Sequence, residues 1–99
     1  MAGEPRLAAS MEVSVLLARA ASFGGFGTVL HRGDAERGSL LLVILERGQH
    51  VAILERMLQR NGSYDWEQLG GTAADSNAAP LYLARRQTAD PDCWVVELD

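Results

Sequence analysis

The chain contains no lysine: all nine of its basic residues are arginine. Without an ε-amine, Schiff-base formation and catalysis by a side-chain ammonium are excluded. Cysteine is nearly as scarce. Cys93 stands alone, so no internal disulfide can form, and an unstapled fold suits a reducing compartment. Long apolar runs are missing too. The longest strictly apolar stretch, Leu40 to Leu45, is far too short to span a bilayer. No apolar stretch of signal-peptide length precedes Glu12, so the expected location is the cytoplasm. The phosphate-cradling pattern G-x-x-x-x-G-K-[ST], the dinucleotide pattern G-x-G-x-x-G and the nucleophile-elbow pattern G-x-S-x-G are all absent, which removes the usual sequence signals of those chemistries.

What is present fits one small domain. In 99 residues, 47% are hydrophobic and 22% charged, enough for a single core. Residues 1–9 read as a flexible N-terminus and 10–99 as one α+β domain. Thirteen acids against nine bases leave a net charge of −4. That balance opposes unaided binding to nucleic acid or to an anionic membrane, and neither is expected as a partner.

The hydrophobic pattern predicts the order α-β-β-β-β-α-β, an antiparallel sheet of four to five strands with two helices. Val13, Leu16, Leu17 and Ala20 recur at helical spacing. Ser10 is the predicted N-cap, and Gly24-Gly25 the stop. Phe26 to Arg32 reads as a strand, followed by a polar turn from Gly33 to Gly38. Leu40 to Leu45 does not alternate, so both of its faces demand burial. Gly48-Gln49 suits a two-residue hairpin turn and Asn61-Gly62 a second one. Tyr64 and Trp66 alternate with Asp65 and Glu67 in a further strand. Asp75, Ser76 and Asn77 are candidate caps of the second helix, which Asp90-Pro91 ends. Cys93 to Leu98 is the closing strand, with Trp94, Val96 and Leu98 on one face. Two short helices cover about one face of such a sheet. The other face of Leu40–Leu45 then calls for a barrel-like curl or a second copy, so a homodimer through the sheet is expected.

Few residues offer chemistry. Carboxylates at Asp90 and Asp92 raise the pKa of the neighbouring Cys93 thiol rather than activate it. His31, His50 and Cys93 have none of the spacings of a zinc site, and no metal or cofactor is expected. Arg85-Arg86 falls in the last turns of the second helix, where cations offset its dipole.

The helix segment Arg6-Leu7 to Leu16-Leu17-Ala18-Arg19-Ala20, the turn His31-Arg32-Gly33-Asp34-Ala35, and the closing Asp90-Pro91-Asp92-Cys93-Trp94-Val95-Val96-Glu97 occur together in this order. In that combination the chain resembles the bacterial family known as domain of unknown function 1491, departing from its pattern at Cys93. The resemblance implies a compact bacterial domain of mixed helices and strands, but no reaction, ligand or cofactor. It directs attention to Arg32, Asp34, Arg85, Arg86, Asp90, Asp92 and Trp94, with Asp34 capping its own turn and Trp94 locking the last strand. Two functional readings follow. One is a small non-catalytic interaction or structural domain that self-associates. The alternative is a ligand-binding or enzymatic domain using an arginine/aspartate cluster, its small-molecule ligand unidentified.

Overall fold

The computed structural model describes residues 8–99; the expectation of a flexible N-terminus falls almost wholly outside that range. Helix α1 spans Ala9–Ser22, and strands β1 (Gly27–His31), β2 (Leu40–Glu46), β3 (Gln49–Leu58) and β4 (Tyr64–Gln68) follow. A 3-10 turn, Gly71–Ala73, leads to helix α2 (Ala79–Ala89) and the last strand β5 (Trp94–Leu98). The predicted order of elements and the α+β class both hold. The strands form a single sheet in the order β1-β5-β2-β3-β4. The β1–β5, β2–β3 and β3–β4 pairs are antiparallel, while β2 and β5 are parallel. This parallel pair arises because α2 carries the chain back across the sheet before β5 begins.

Local chemistry shifts several predicted boundaries. Ala8, not Ser10, is the N-cap of α1, and no side chain caps it. The first two helical N–H groups instead donate to turn carbonyls, Ala9 to Glu36 at 3.2 Å and Ser10 to Ala35 at 2.9 Å, satisfying donors that a helix start leaves open. The first hairpin turns at Arg47-Gly48, one residue earlier than predicted, with φ of 51° and 78°. Both values lie in the left-handed region that a tight hairpin requires. The two exposed N–H groups donate to the Asp99 carboxylate, each at 3.0 Å, which anchors the turn to the end of β5. At α2 no side chain caps the helix; Asp75 accepts the N–H of Asn77 at 2.8 Å and closes a turn just before it.

The largest correction concerns the helices, which lie on opposite faces of the sheet. Leu41 and Val43 pack with Ile53, Val95 and Cys93 beneath Ala79, Tyr82 and Leu83 of α2. Leu40 and Leu42 pack with Trp94 and Val96 beneath Ala9, Val13, Leu16 and Leu17 of α1. Each side of β2 is therefore covered by a helix of the same chain, so its burial requires neither a curl nor a second copy. Alternation along β2 alone divides the two cores. Each buried leucine contributes roughly 1.5–3 kcal/mol, so neither face is dispensable.

Truncation tests that double burial. Leu41→Ala and Leu42→Ala should each lower unfolding free energy by about 2–5 kcal/mol in urea denaturation. A loss below about 1 kcal/mol at either position would mean that its face is solvated.

Candidate functional site

Asp34 organises the turn between β1 and β2. Its Oδ1 accepts the N–H groups of Glu36 at 2.9 Å and Arg37 at 2.7 Å, the self-capping expected of an aspartate in a turn. Those two donors, Arg37 first, hold its carboxyl below the usual range. The Asp34 backbone is engaged as well. Its N–H donates to the Asp92 carbonyl at 2.9 Å, and its carbonyl accepts the indole N–H of Trp94 at 2.7 Å. Trp94 is buried on the α1 side, and the Arg32 guanidinium lies 5.5 Å from its ring centre, within cation–π range. Gly33 and Gly38 allow this close approach, because a Cβ on either would collide with the Asp92 carbonyl. Arg32, Asp34, Trp94 and the Asp92 backbone thus belong to one structural knot.

Arg86 and Asp90 belong elsewhere. Arg86 projects from α2 to the opposite face and grips Glu55 of β3 through two bonds of 2.9 and 2.7 Å. This bidentate pairing, with further help from Tyr82, raises the guanidinium pKa against the opposing effect of burial;. Asp90 touches Arg86 only at 4.0 Å. Arg85 is exposed and borders a shallow open depression of about 320 Å³ lined otherwise by Ala84, Thr88 and Ala89. That depression brings no acid or second cation to Arg85, and its one hydroxyl, that of Thr88, donates to the Ala84 carbonyl at 3.0 Å. The seven residues therefore divide across the sheet.

Sequence reasoning missed the partner of Arg86 and also a second ion pair. Glu12 of α1 is only 4% exposed and accepts a 2.6 Å bond from Arg56 of β3. The Arg56 guanidinium lies 5.3 Å from the Tyr64 ring centre and 5.9 Å from that of Trp66. Glu12 Oε1 and Arg56 Nε are buried without a hydrogen-bond partner among the described residues. The legible signal was the stripe itself: Glu12 adjoins Val13 and lies four before Leu16, on the inward side of α1.

The remaining reactive groups are held in the framework. His31 Nδ1 is 2.9 Å from the Cys93 carbonyl, and His50 Nε2 is 3.2 Å from that of Ala73. The Cys93 thiol is fully buried, and its pKa is pushed up to about 11, first by burial and then by Asp90 and Glu55, with Arg86 opposing. Burial, not the adjacent carboxylates, is the main cause. Among the described residues no three histidine, cysteine, aspartate or glutamate side chains gather as metal ligands. No helix among them is long and apolar enough to cross a membrane.

A family described as "Protein of unknown function (DUF1491)" matches residues 7–99. A crystal structure of a DUF1491 family protein from Caulobacter crescentus is similar, with 29% identity, a TM-score of 0.84, and coverage of 94% of this chain and 87% of that one. An NMR structure of a DUF1491 family protein from the same bacterium shares 29% identity over 96% of this chain and 86% of that one, with a TM-score of 0.80. The solution structure of protein Atu0922 from A. tumefaciens shares 26% identity over 95% and 86%, with a TM-score of 0.75. No curated protein matches the chain.

Two measurements check the site. Glu55→Gln, which leaves the partly buried Arg86 charge with only Asp90 at 4.0 Å, should cost about 2–3 kcal/mol of stability;. The double variant Glu55→Leu/Arg86→Met should sit closer to wild type than either single change, whereas additive losses would deny the pairing. For the thiol, the folded pKa of about 11 exceeds the ordinary value of 9.0. The native state therefore holds the proton more tightly. The resulting stability is complete below the unfolded pKa and is lost as pH rises through the folded one. Melting temperature should fall more steeply above about pH 9 in wild type than in Cys93→Ala, and parallel profiles would contradict the buried thiol.

Proposed function

We propose, from the premise that this chain belongs to the DUF1491 family, that it is a small non-catalytic interaction domain that associates with itself. The observation carrying this reading is an inversion of the usual surface. Both phenylalanines of the chain are outside, Phe23 86% and Phe26 77% exposed, while several charged groups are spent on the framework. Asp34 caps a turn, Glu55 and Arg86 fasten α2, and Glu12 and Arg56 fasten α1.

An active site needs polar groups left over after folding, converging on one concavity. Here the sheet separates Arg32 and Asp34 from Arg86 and Glu55, which weakens the reading of a shared arginine/aspartate ligand cluster. Exposed aromatic side chains are the opposite case: they add little to the monomer and much to an interface. Leu30 and Leu58 are also substantially exposed, at 47% and 62%.

Sedimentation velocity across a concentration series tests the reading. The weight-average mass should rise from monomer towards dimer as the chain is concentrated through the micromolar range. A chain still monomeric at about 200 μM would end it.

A further inference from the structure

We propose that two copies of the chain join through the outer edge of β1, pairing antiparallel about Thr28 so that one sheet runs through the dimer. This rests on the self-association read above and adds its surface and register.

The sheet ends at β1 on one side and at β4 on the other, and among the described residues neither outer edge is paired. Exposed edges invite pairing unless charge, proline or distortion blunts them. β4 carries Asp65 and Glu67, so two such strands would set like charges against each other. β1, Gly-Thr-Val-Leu-His, carries no acid and no arginine, and its one irregularity, the bulge after Val29, lies beyond the Gly27–Val29 segment that would pair. A second copy of the same strand is therefore a partner it does not repel, which singles out this edge.

The hydrogen bonds fix the register. Phe26 and Asp99 exchange both backbone bonds, at 2.8 and 2.9 Å, so Phe26 directs its N–H and C=O inward to the end of β5. Alternation then aims Thr28 inward at its partner Glu97, and Gly27 and Val29 outward. In an antiparallel pair centred on Thr28, Gly27 of each copy lies opposite Val29 of the other. These are the residues whose outward groups are free to exchange bonds, while the two Thr28 residues form the close, non-hydrogen-bonded pair. Beyond Val29 a bulge interrupts the alternation, so the exposed Phe26 and Leu30 flank the paired segment at its two ends. The bulge after Val29 leaves Leu30 without a partner on β5.

The apolar area is of the right size. Phe23, at the approach to β1, together with Phe26 and Leu30 exposes on the order of 400 Å² per copy. A standard interface buries about 800 Å² per partner, a little over half of it apolar. These three side chains supply nearly all of that apolar share.

A charge-swap experiment at Thr28, an exposed position, tests the pairing. Thr28→Glu and Thr28→Arg should each raise the dimer dissociation constant at least about tenfold, because like charges meet across the two-fold axis. An equimolar mixture of the two should restore the dimer, read by sedimentation velocity. Persistence of the dimer in both single variants would place the interface elsewhere and overturn this proposal, while self-association itself would stand. Monomeric variants that fail to recover on mixing would overturn the Thr28-centred register. A wild-type chain monomeric throughout would instead defeat the reading under Proposed function, and this one with it. If charge at position 28 disturbs folding, Thr28→Cys substitutes: mild oxidation should yield a covalent dimer, since cysteines in that close pair are within bridging distance and Cys93 is buried;. Purely monomeric product would reject the register.

Discussion

Two adjacent residues in the middle of β3 hold both helices to the sheet. Glu55 and Arg56 are neighbours, so strand geometry sends their side chains to opposite faces. Glu55 receives Arg86 of α2 on one side, and Arg56 grips Glu12 of α1 on the other. The charge signs are opposite on the two sides, so the pairs cannot exchange partners without meeting like charge. Hydrophobic burial supplies most of the energy that keeps each helix on the sheet. The ion pairs select position, because misplacing either helix would leave a poorly solvated charge unpaired.

A second constraint comes from the last strand to be made. β5 enters the interior of the sheet between β1 and β2, and its start is joined to the β1–β2 turn by the Asp34 N–H and the Trp94 indole. Glycine at 33 and 38 is required there because the Asp92 carbonyl occupies the space a side chain would need. The same turn supplies carbonyls to the start of α1. One short loop therefore ties the first helix, the first two strands and the last strand together. The residues that drew attention as a candidate site, Arg32, Asp34, Asp92 and Trp94, sit in this joint, and its demands account for their chemistry.

The surface left after those demands is apolar in places where a monomer gains nothing from it. Phe23 and Phe26 flank the α1–β1 junction, and β1 exposes an uncharged edge beside them. β4, the other end of the sheet, carries the acids that an edge exposed to solvent ordinarily needs. This asymmetry links the architecture to the proposed function: one end is protected against pairing and the other is left able to pair.

Much of the architecture was legible in the sequence because it depends on local periodicity. The spacing of Val13, Leu16 and Leu17, the unbroken run Leu40–Leu45, and the Asp90-Pro91 stop yield the order of elements from steric and hydrophobic rules acting within a few residues. The self-capped turn of Asp34 and the inward placement of Trp94 were readable for the same reason. The hairpin at Arg47-Gly48 was misplaced by one residue, since the carboxylate that satisfies its N–H groups is Asp99, more than fifty positions away. The assignment of one helix to each face, the parallel pairing of β5 with β2, and the Glu12–Arg56 and Glu55–Arg86 pairs also lay beyond local reasoning. Periodicity shows that a face must be buried, but not which distant segment buries it. That choice is settled only when the whole chain competes for the same two surfaces and each charge finds its single compatible partner.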